Sequence, residues 1–203
     1  LNVEADHLDF FKDLTDVERS FHAFADLVPQ NGFVIANADD PGAMDAVKGL
    51  AHPVFTFSVK DEAADCRADQ VAYHDGCGEF DVVIHGKFYA HIALAVAGKH
   101  NVSNALAAAA AAYVLGISGK AVEEGLHSFH GAGRRFEYKG SFRGAEVYDD
   151  YAHHPGELHA LLTTARSMAC KRVICAFQPH TYTRTQALFS DFVKELKLAD
   201  VAV

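Results

Sequence analysis

The strongest constraint on this sequence is its alternation of short apolar stretches with segments of helical period. Ala145–Tyr148 alternates like a strand, and Leu158, Leu161, Leu162, Ala165 and Met168 then trace one face of a helix. Arg172–Phe177 follows as a continuous buried-strand run, so the order is strand, helix, strand. Near the start the pattern is similar. Thr15–Glu18 has capping-box spacing, and Val17, Phe21, Phe24, Ala25 and Val28 recur at helical intervals up to Pro29, predicting a helix with one apolar face on a sheet. Gly32–Ala36 reads as a short buried strand, and Asp40-Pro41 as the cap and first residue of a helix to about Leu50. This order is expected of an α/β fold, with a right-handed crossover between Ala145–Tyr148 and Arg172–Phe177 if those strands are parallel neighbours.

Between Val54 and Ala97 the pattern changes to alternating strands at Val54–Val59, Gln70–Tyr73, Phe80–Ile84 and Phe88–Val96, with Gly86-Lys87 as a hairpin turn. This reads as an antiparallel section without a chemical motif. An alanine-rich helix follows Gly98 and runs to about Leu115, with a second from Ser118 to about Phe129. Phe136–Lys139 and Ala145–Tyr148 are expected to pair, and a helix from about Gln186 to Leu196 follows the last loop. A domain boundary is expected near Arg134, dividing the chain into residues 1–133 and 134–203.

At 203 residues and 50% hydrophobic, the chain has room for one domain or two small ones with real cores. A formal charge of −9 argues against a nucleic-acid surface, which needs excess Lys and Arg. No run approaches the roughly 18 apolar residues of a membrane helix. Four cysteines without a C-x-x-C pair read as reduced thiols of a cytoplasmic protein. Leu1–Glu4 looks like the middle of a strand, which suggests a chain cut from a longer one.

Four stretches carry chemistry. Asp149-Asp150-Tyr151-Ala152-His153-His154-Pro155 puts two carboxylates, a phenol and two imidazoles at the end of a strand, where they are costly to bury unless a polar ligand meets them. Gln178–Thr185 is a second polar loop after a strand and carries His180, Tyr182 and Arg184. In an open α/β sheet, ligands bind outside the carboxyl ends of the strands. Parallel neighbouring strands would open both loops on one crevice. Asn101 and Asn104 share a face of the first turn of their helix, where their amides suit a nucleobase edge or serve as caps. Arg134 and Arg135 follow a glycine-rich junction and can fork onto phosphate or carboxylate oxygens, or stand solvated. A zinc site is disfavoured because no H-E-x-x-H exists and His154 and His159 are five apart. A serine hydrolase lacks its G-x-S-x-G elbow, and no G-x-x-x-x-G-K-[ST] loop is present.

Taken in order, Glu4–Asp9, Gly98–Ala107, Gly131–Phe136, Asp149–Pro155 and Phe177–Thr185 resemble the motifs of the Mur ligases of bacterial cell-wall synthesis, and within them the alanine-adding branch. The resemblance implies most of a central ATP-binding domain, with a parallel-rich sheet and an antiparallel section, followed by the start of a Rossmann-like C-terminal domain. It implies a cytoplasmic, ATP- and magnesium-dependent ligase that joins L-alanine to UDP-N-acetylmuramate through an acyl phosphate in peptidoglycan synthesis. By the same resemblance His7 meets a magnesium ion and acts in catalysis with Arg135. His100, Asn101 and Asn104 line the adenine pocket, Arg134 and Arg135 meet the nucleotide phosphates, and Asp149 meets the ribose. Tyr151, His153, His180 and Arg184 face the muramyl and alanine end. The family's glycine-rich ATP loop, magnesium-binding threonine and metal-binding glutamate have no counterpart here, and Glu4 is not that glutamate. The expectation is a fragment without ligase activity of its own. Two other readings stay open: a muramyl-peptide recycling ligase of the same family, and a nucleotide-binding module that has lost catalysis.

Overall fold

The computed structural model describes residues 1–5 and 10–203. Its elements run α1 (Leu14–Ala25), β1 (Val34–Asn37), α2 (Pro41–Val47), β2 (Val54–Ser58), β3 (Cys66–His74), β4 (Cys77–Ile84), β5 (Lys87–Ala97), α3 (His100–Val114), α4 (Gly119–Ser128), β6 (Glu137–Phe142), β7 (Ala145–Asp149), α5 (Pro155–Ser167), β8 (Ile174–Cys175), α6 (Tyr182–Ala187), α7 (Phe189–Leu196) and β9 (Val201–Ala202). The chain divides into two compact units. The first holds residues 1–72, 79–93 and 101–127; the second holds 73–78, 94–100 and 128–203.

The fold is α/β with both kinds of strand pairing. One sheet has the order β1-β2-β3-β4-β5, in which β1, β2 and β3 pair in parallel. The links from β3 to β4 and from β4 to β5 are only two residues long, which can join antiparallel strands alone. Asp75 (φ 48°) with Gly76 (φ 80°), and His85 (φ 48°) with Gly86 (φ 75°), have the left-handed pair of conformations that matches the twist of a hairpin. Arg143 (φ 52°) and Gly144 (φ 82°) do the same between β6 and β7. The second of these turns is one residue earlier than the Gly86-Lys87 expected, because His85 accepts the left-handed conformation that glycine was assumed to need.

In the first unit the core lies between the sheet and α3. Phe57, Phe80, Val82 and Ile92 from the strands and Val102 and Leu106 from α3 are fully buried, and the Cys66 thiol donates to the Leu106 carbonyl at 3.9 Å. The alanines of α3 let the helix lie close, with Ala105, Ala109 and Ala110 all buried. Helix α2 begins as expected, with Asp40 Oδ1 accepting from Ala43 N at 2.7 Å and Pro41 in the first turn.

Helix α1 departs from its expected packing. Its cap is Asp13, which accepts from Asp16 N at 2.9 Å, in place of Thr15. Of its predicted apolar face only Val17 is buried; Phe21 is 46% and Phe24 71% exposed. The helix packs on α2, not flat on the sheet: Val17 joins Val3, Ala43 and Ala46, and His22 Nδ1 lies 2.8 Å from the Ala46 carbonyl. That small contact has no room for two phenylalanines. Leu1–Glu4 is not a strand; it is held by Asn37 Nδ2 donating to the Leu1 carbonyl and Val3 N donating to Asp40.

In the second unit β8 and β9 pair in parallel, and Leu158, Leu162, Val173, Cys175 and Phe192 form a core with α5 and α7. His159 Nδ1 meets Glu195 Oε2 at 2.6 Å, and Arg166 meets Asp200 at 2.8 Å. The expected strand Arg172–Phe177 shrinks to Ile174–Cys175, because among the described residues its ladder partner is β9, which is itself two residues long. The helix expected from Gln186 begins earlier and breaks at Leu188 into α6 and α7. Strands β7 and β8 are not hydrogen-bonded neighbours: β7 pairs with β6, and β8 with β9. The four cysteines are free, and no described helix is long and apolar enough to cross a membrane.

Candidate functional site

The polar stretch at the end of β7 folds because its own backbone donors are satisfied by its carboxylates. Asp150 accepts from Phe136 N and from Ala152 N, both at 2.7 Å, which clamps the loop against the start of β6. His154 is the N-cap of α5, Pro155 occupies its first turn, and Glu157 completes a capping box by accepting from His154 N at 3.2 Å. The same Glu157 oxygen accepts from His153 N at 2.8 Å.

Onto this frame the junction arginines are fastened. Arg134 has φ 57°, an uncommon left-handed conformation for a non-glycine residue that Glu137 and Tyr151 hold in place. Arg134 N donates to Glu137 Oε2 at 2.8 Å, and Tyr151 N donates to the Arg134 carbonyl at 2.8 Å. The Arg134 guanidinium pairs with Asp149 at 3.4 Å and lies 4.7 Å from the Tyr151 ring centroid. Arg135 reaches across to Glu157 at 3.4 Å. The arginines are therefore not simply solvated; each faces a carboxylate partly open to water. Such pairs contribute little stability, so an arriving phosphate can compete for the guanidinium groups at small cost. Tyr151 and His153 meet edge to face at 4.9 Å.

Arg134, Asp149, Tyr151, His153 and His180 line one cleft of about 1560 Å³ within the second unit. The two polar loops thus open on a common space, as the sequence suggested, although the strands that carry them are not paired. Arg135 is tied to this group through Glu157. Arg184 lies on α6 and donates to the His180 carbonyl at 3.2 Å. His100 belongs to the same unit. The open surface of its ring does not prevent the protein packed around it from pushing its pKa below the ordinary value, against the opposing influence of Asp150. Gly98 precedes it at φ 113°, and a Cβ there would stand 2.6 Å from the His100 ring and 2.9 Å from Thr164 Oγ1. Asn101 and Asn104 share a helical face, with Asn104 Nδ2 donating to Asn101 Oδ1 at 3.1 Å; they belong to the first unit. His7 lies outside the described residues.

Asp150 and Glu157 organise the cluster yet are absent from the site residues expected from sequence. The signal for Glu157 was available, since it stands three residues after His154 with Pro155 between them, the spacing of a capping box. Histidine is not a usual cap, which hid it. Burial pushes the Glu157 carboxyl up, but the His153 N–H, the His153 ring and Arg135 outweigh it and hold its pKa below the ordinary value of 4.5. A depressed carboxyl contributes stability that is present above that value and disappears as pH falls through the folded one. Glu157→Gln keeps a capping-box side chain and removes the charge. Glu157→Gln is expected to be less stable than the parent near pH 7, with the difference shrinking as pH falls through the folded Glu157 value, as followed by exchange at the α5 amides; a difference that stays constant with pH would contradict this.

Residues 1–112 match the Mur ligase middle domain, and residues 134–203 match the Mur ligase glutamate ligase domain. The chain therefore belongs to the Mur ligase family. It is 46% identical over 201 residues to the UDP-N-acetylmuramate–L-alanine ligase of Caldanaerobacter subterraneus subsp. tengcongensis, covering 98% of this chain and 44% of that one. The crystal structure of the UDP-N-acetylmuramate–alanine ligase of Thermotoga maritima superposes with a TM-score of 0.76 at 30% identity, covering 97% of this chain and 42% of that one. A murein peptide ligase of Psychrobacter arcticus superposes with a TM-score of 0.68 at 29% identity, covering 92% and 39%. The chain spans less than half the length of these relatives.

Proposed function

We propose that the chain is part of an ATP-dependent amide ligase that joins L-alanine to UDP-N-acetylmuramate in the cytoplasm. The observation that carries the reading is the cluster at the end of β7. There the junction arginines and the Tyr151–His153 pair are fixed in one network, in a chain 46% identical to a ligase of that name. In the second unit two guanidinium groups with displaceable partners suit phosphates, and in the first unit the side-chain amides of Asn101 and Asn104 suit a base edge. His100 and Asp149 complete the nucleotide side, and Tyr151, His153, His180 and Arg184 the acceptor side. The described residues contain no group of three or more His, Cys, Asp or Glu able to hold a metal. Magnesium therefore stays an expectation attached to His7.

ATP supplies the phosphoryl group that turns an unreactive carboxylate into an acyl phosphate, with ADP leaving. The L-alanine nitrogen then attacks the acyl carbon, phosphate departs, and the nitrogen loses a proton to leave the amide. Positioning and charge neutralisation dominate such chemistry. Arg134 and Arg135 offset the phosphoryl charge. Asp150 and Glu157 keep those arginines in register with the loop that meets the acceptor.

The 203 residues alone are expected to bind ATP and to show no ligation. Titration calorimetry on folded protein, with a parallel assay of alanine-dependent ADP release, checks both parts. Turnover by the chain alone would overturn the second part, and absence of ATP binding the first.

A further inference from the structure

Strand β5 is the last of its sheet: β4 pairs with one edge, and among the described residues no strand pairs with the other. At 11 residues it is the longest strand, and an open edge of that length is a template on which another chain can add a strand. Helix α4 meets this edge instead. Glu123 Oε1 accepts from His91 N at 2.7 Å, and His127 Nδ1 lies 3.3 Å from the Ala93 carbonyl oxygen. Gly119 sits so close to the strand that a Cβ would overlap the Tyr89 carbonyl oxygen. Just before the helix, the Tyr89 hydroxyl donates to the Ile117 carbonyl at 2.6 Å.

The two series of residues keep step. Tyr89, His91 and Ala93 are alternate residues, which direct their backbone groups to one edge. Gly119, Glu123 and His127 stand four apart and follow one side of the helix. Two residues of strand advance about 6.7 Å and four residues of helix about 6.0 Å, so the contacts stay matched over both intervals. Glu123 supplies an acceptor where a neighbouring strand would place a carbonyl. His127 supplies a donor where that strand would place an N–H, in the tautomer that carries its proton on Nδ1. Little else holds the helix down. Val122 is its one buried side chain, Gly125 lowers its helix propensity, and 10 residues are marginal for a helix on its own. The seat of α4 therefore depends on its bonds to β5, and its release is a local opening.

We propose that α4 is an edge guard: it occupies the backbone groups of Tyr89, His91 and Ala93 through Gly119, Glu123 and His127, and so keeps β5 from pairing with β5 of a second copy of the chain. A second copy presents the same edge, and two such edges run antiparallel about a two-fold axis, the arrangement in which one surface complements itself. The guard lies wholly within the first unit and does not depend on the ligation reading.

The test compares residue-resolved hydrogen exchange and sedimentation velocity for the parent chain and four variants over a range of concentrations. In dilute solution Glu123→Ala, which removes the acceptor, and Gly119→Ala, which pushes the helix off the strand, are each expected to speed exchange at His91 N about tenfold or more. Glu123→Gln keeps an acceptor and should restore most of the protection. Lys120→Ala, on the solvent side of the helix, should change nothing. Protection at Phe57 N, unchanged in all four, shows that the unit stays folded. At higher concentration Glu123→Ala and Gly119→Ala should associate more than the parent, with exchange at Tyr89, His91 and Ala93 slowing together. Unchanged exchange at His91 N in both variants would overturn the proposal. So would faster exchange with no gain in association, or association that leaves the β5 amides unprotected.

Discussion

Phe57→Ala is expected to destabilise the first unit by roughly 3–5 kcal/mol. Phe57 has no exposed surface and lies on β2, between β1 and β3. A cavity there is walled by strands whose ladders resist collapse, so the lost transfer energy and the unfilled space add. Hydrogen exchange at amides of β2 and α3 isolates this effect from the second unit. Phe24→Ala is the control: Phe24 belongs to the face predicted to be apolar and buried, but at 71% exposed its loss should change stability by no more than about 0.5 kcal/mol. Equal losses at the two positions would contradict the packing described for α1.

Arg135→Ala, placed in a complete ligase, is expected to lower kcat/KM for ATP-dependent ligation by at least 10²–10³-fold, on the order seen when one charge-stabilising donor is removed from a site. Arg135→Lys should recover part of the loss, because it restores the charge without the planar fork. Glu157→Gln should cost less than Arg135→Ala, and the double change should cost less than the sum. Both residues act through one contact, at 3.4 Å. Steady-state kinetics on the four proteins separates these outcomes; additive losses would show that the two side chains work independently.

Much of the α/β order was legible because it rests on local chemistry. Asp40-Pro41 carries its own cap, the alanines of α3 favour helix without help from elsewhere, and Gly86 marks a hairpin, although the turn lies at His85-Gly86, one residue before the expected Gly86-Lys87. What escaped depended on partners distant in sequence. The period of Val17, Phe21 and Phe24 states that a helix has an apolar side, not which element covers it, and α2 covers only part. The apolar run at Arg172–Phe177 announces a strand but not its neighbours, and so the separation of β7 from β8 could not be read. The Asp149–Pro155 cluster was visible from its polarity. Its construction was legible only in part: Glu157 stands at capping-box spacing from His154, whereas Asp150 works through backbone donors at Phe136 and Ala152 that leave no mark in the sequence.

The most direct measurement exchanges this chain for the 201 aligned residues of the Caldanaerobacter ligase and assays the chimera with ATP, magnesium, UDP-N-acetylmuramate and L-alanine. The expected result is an amide product formed with equal amounts of ADP and phosphate. A folded chimera that makes no product with L-alanine, or that makes product only with a tripeptide acceptor, would contradict the proposed function.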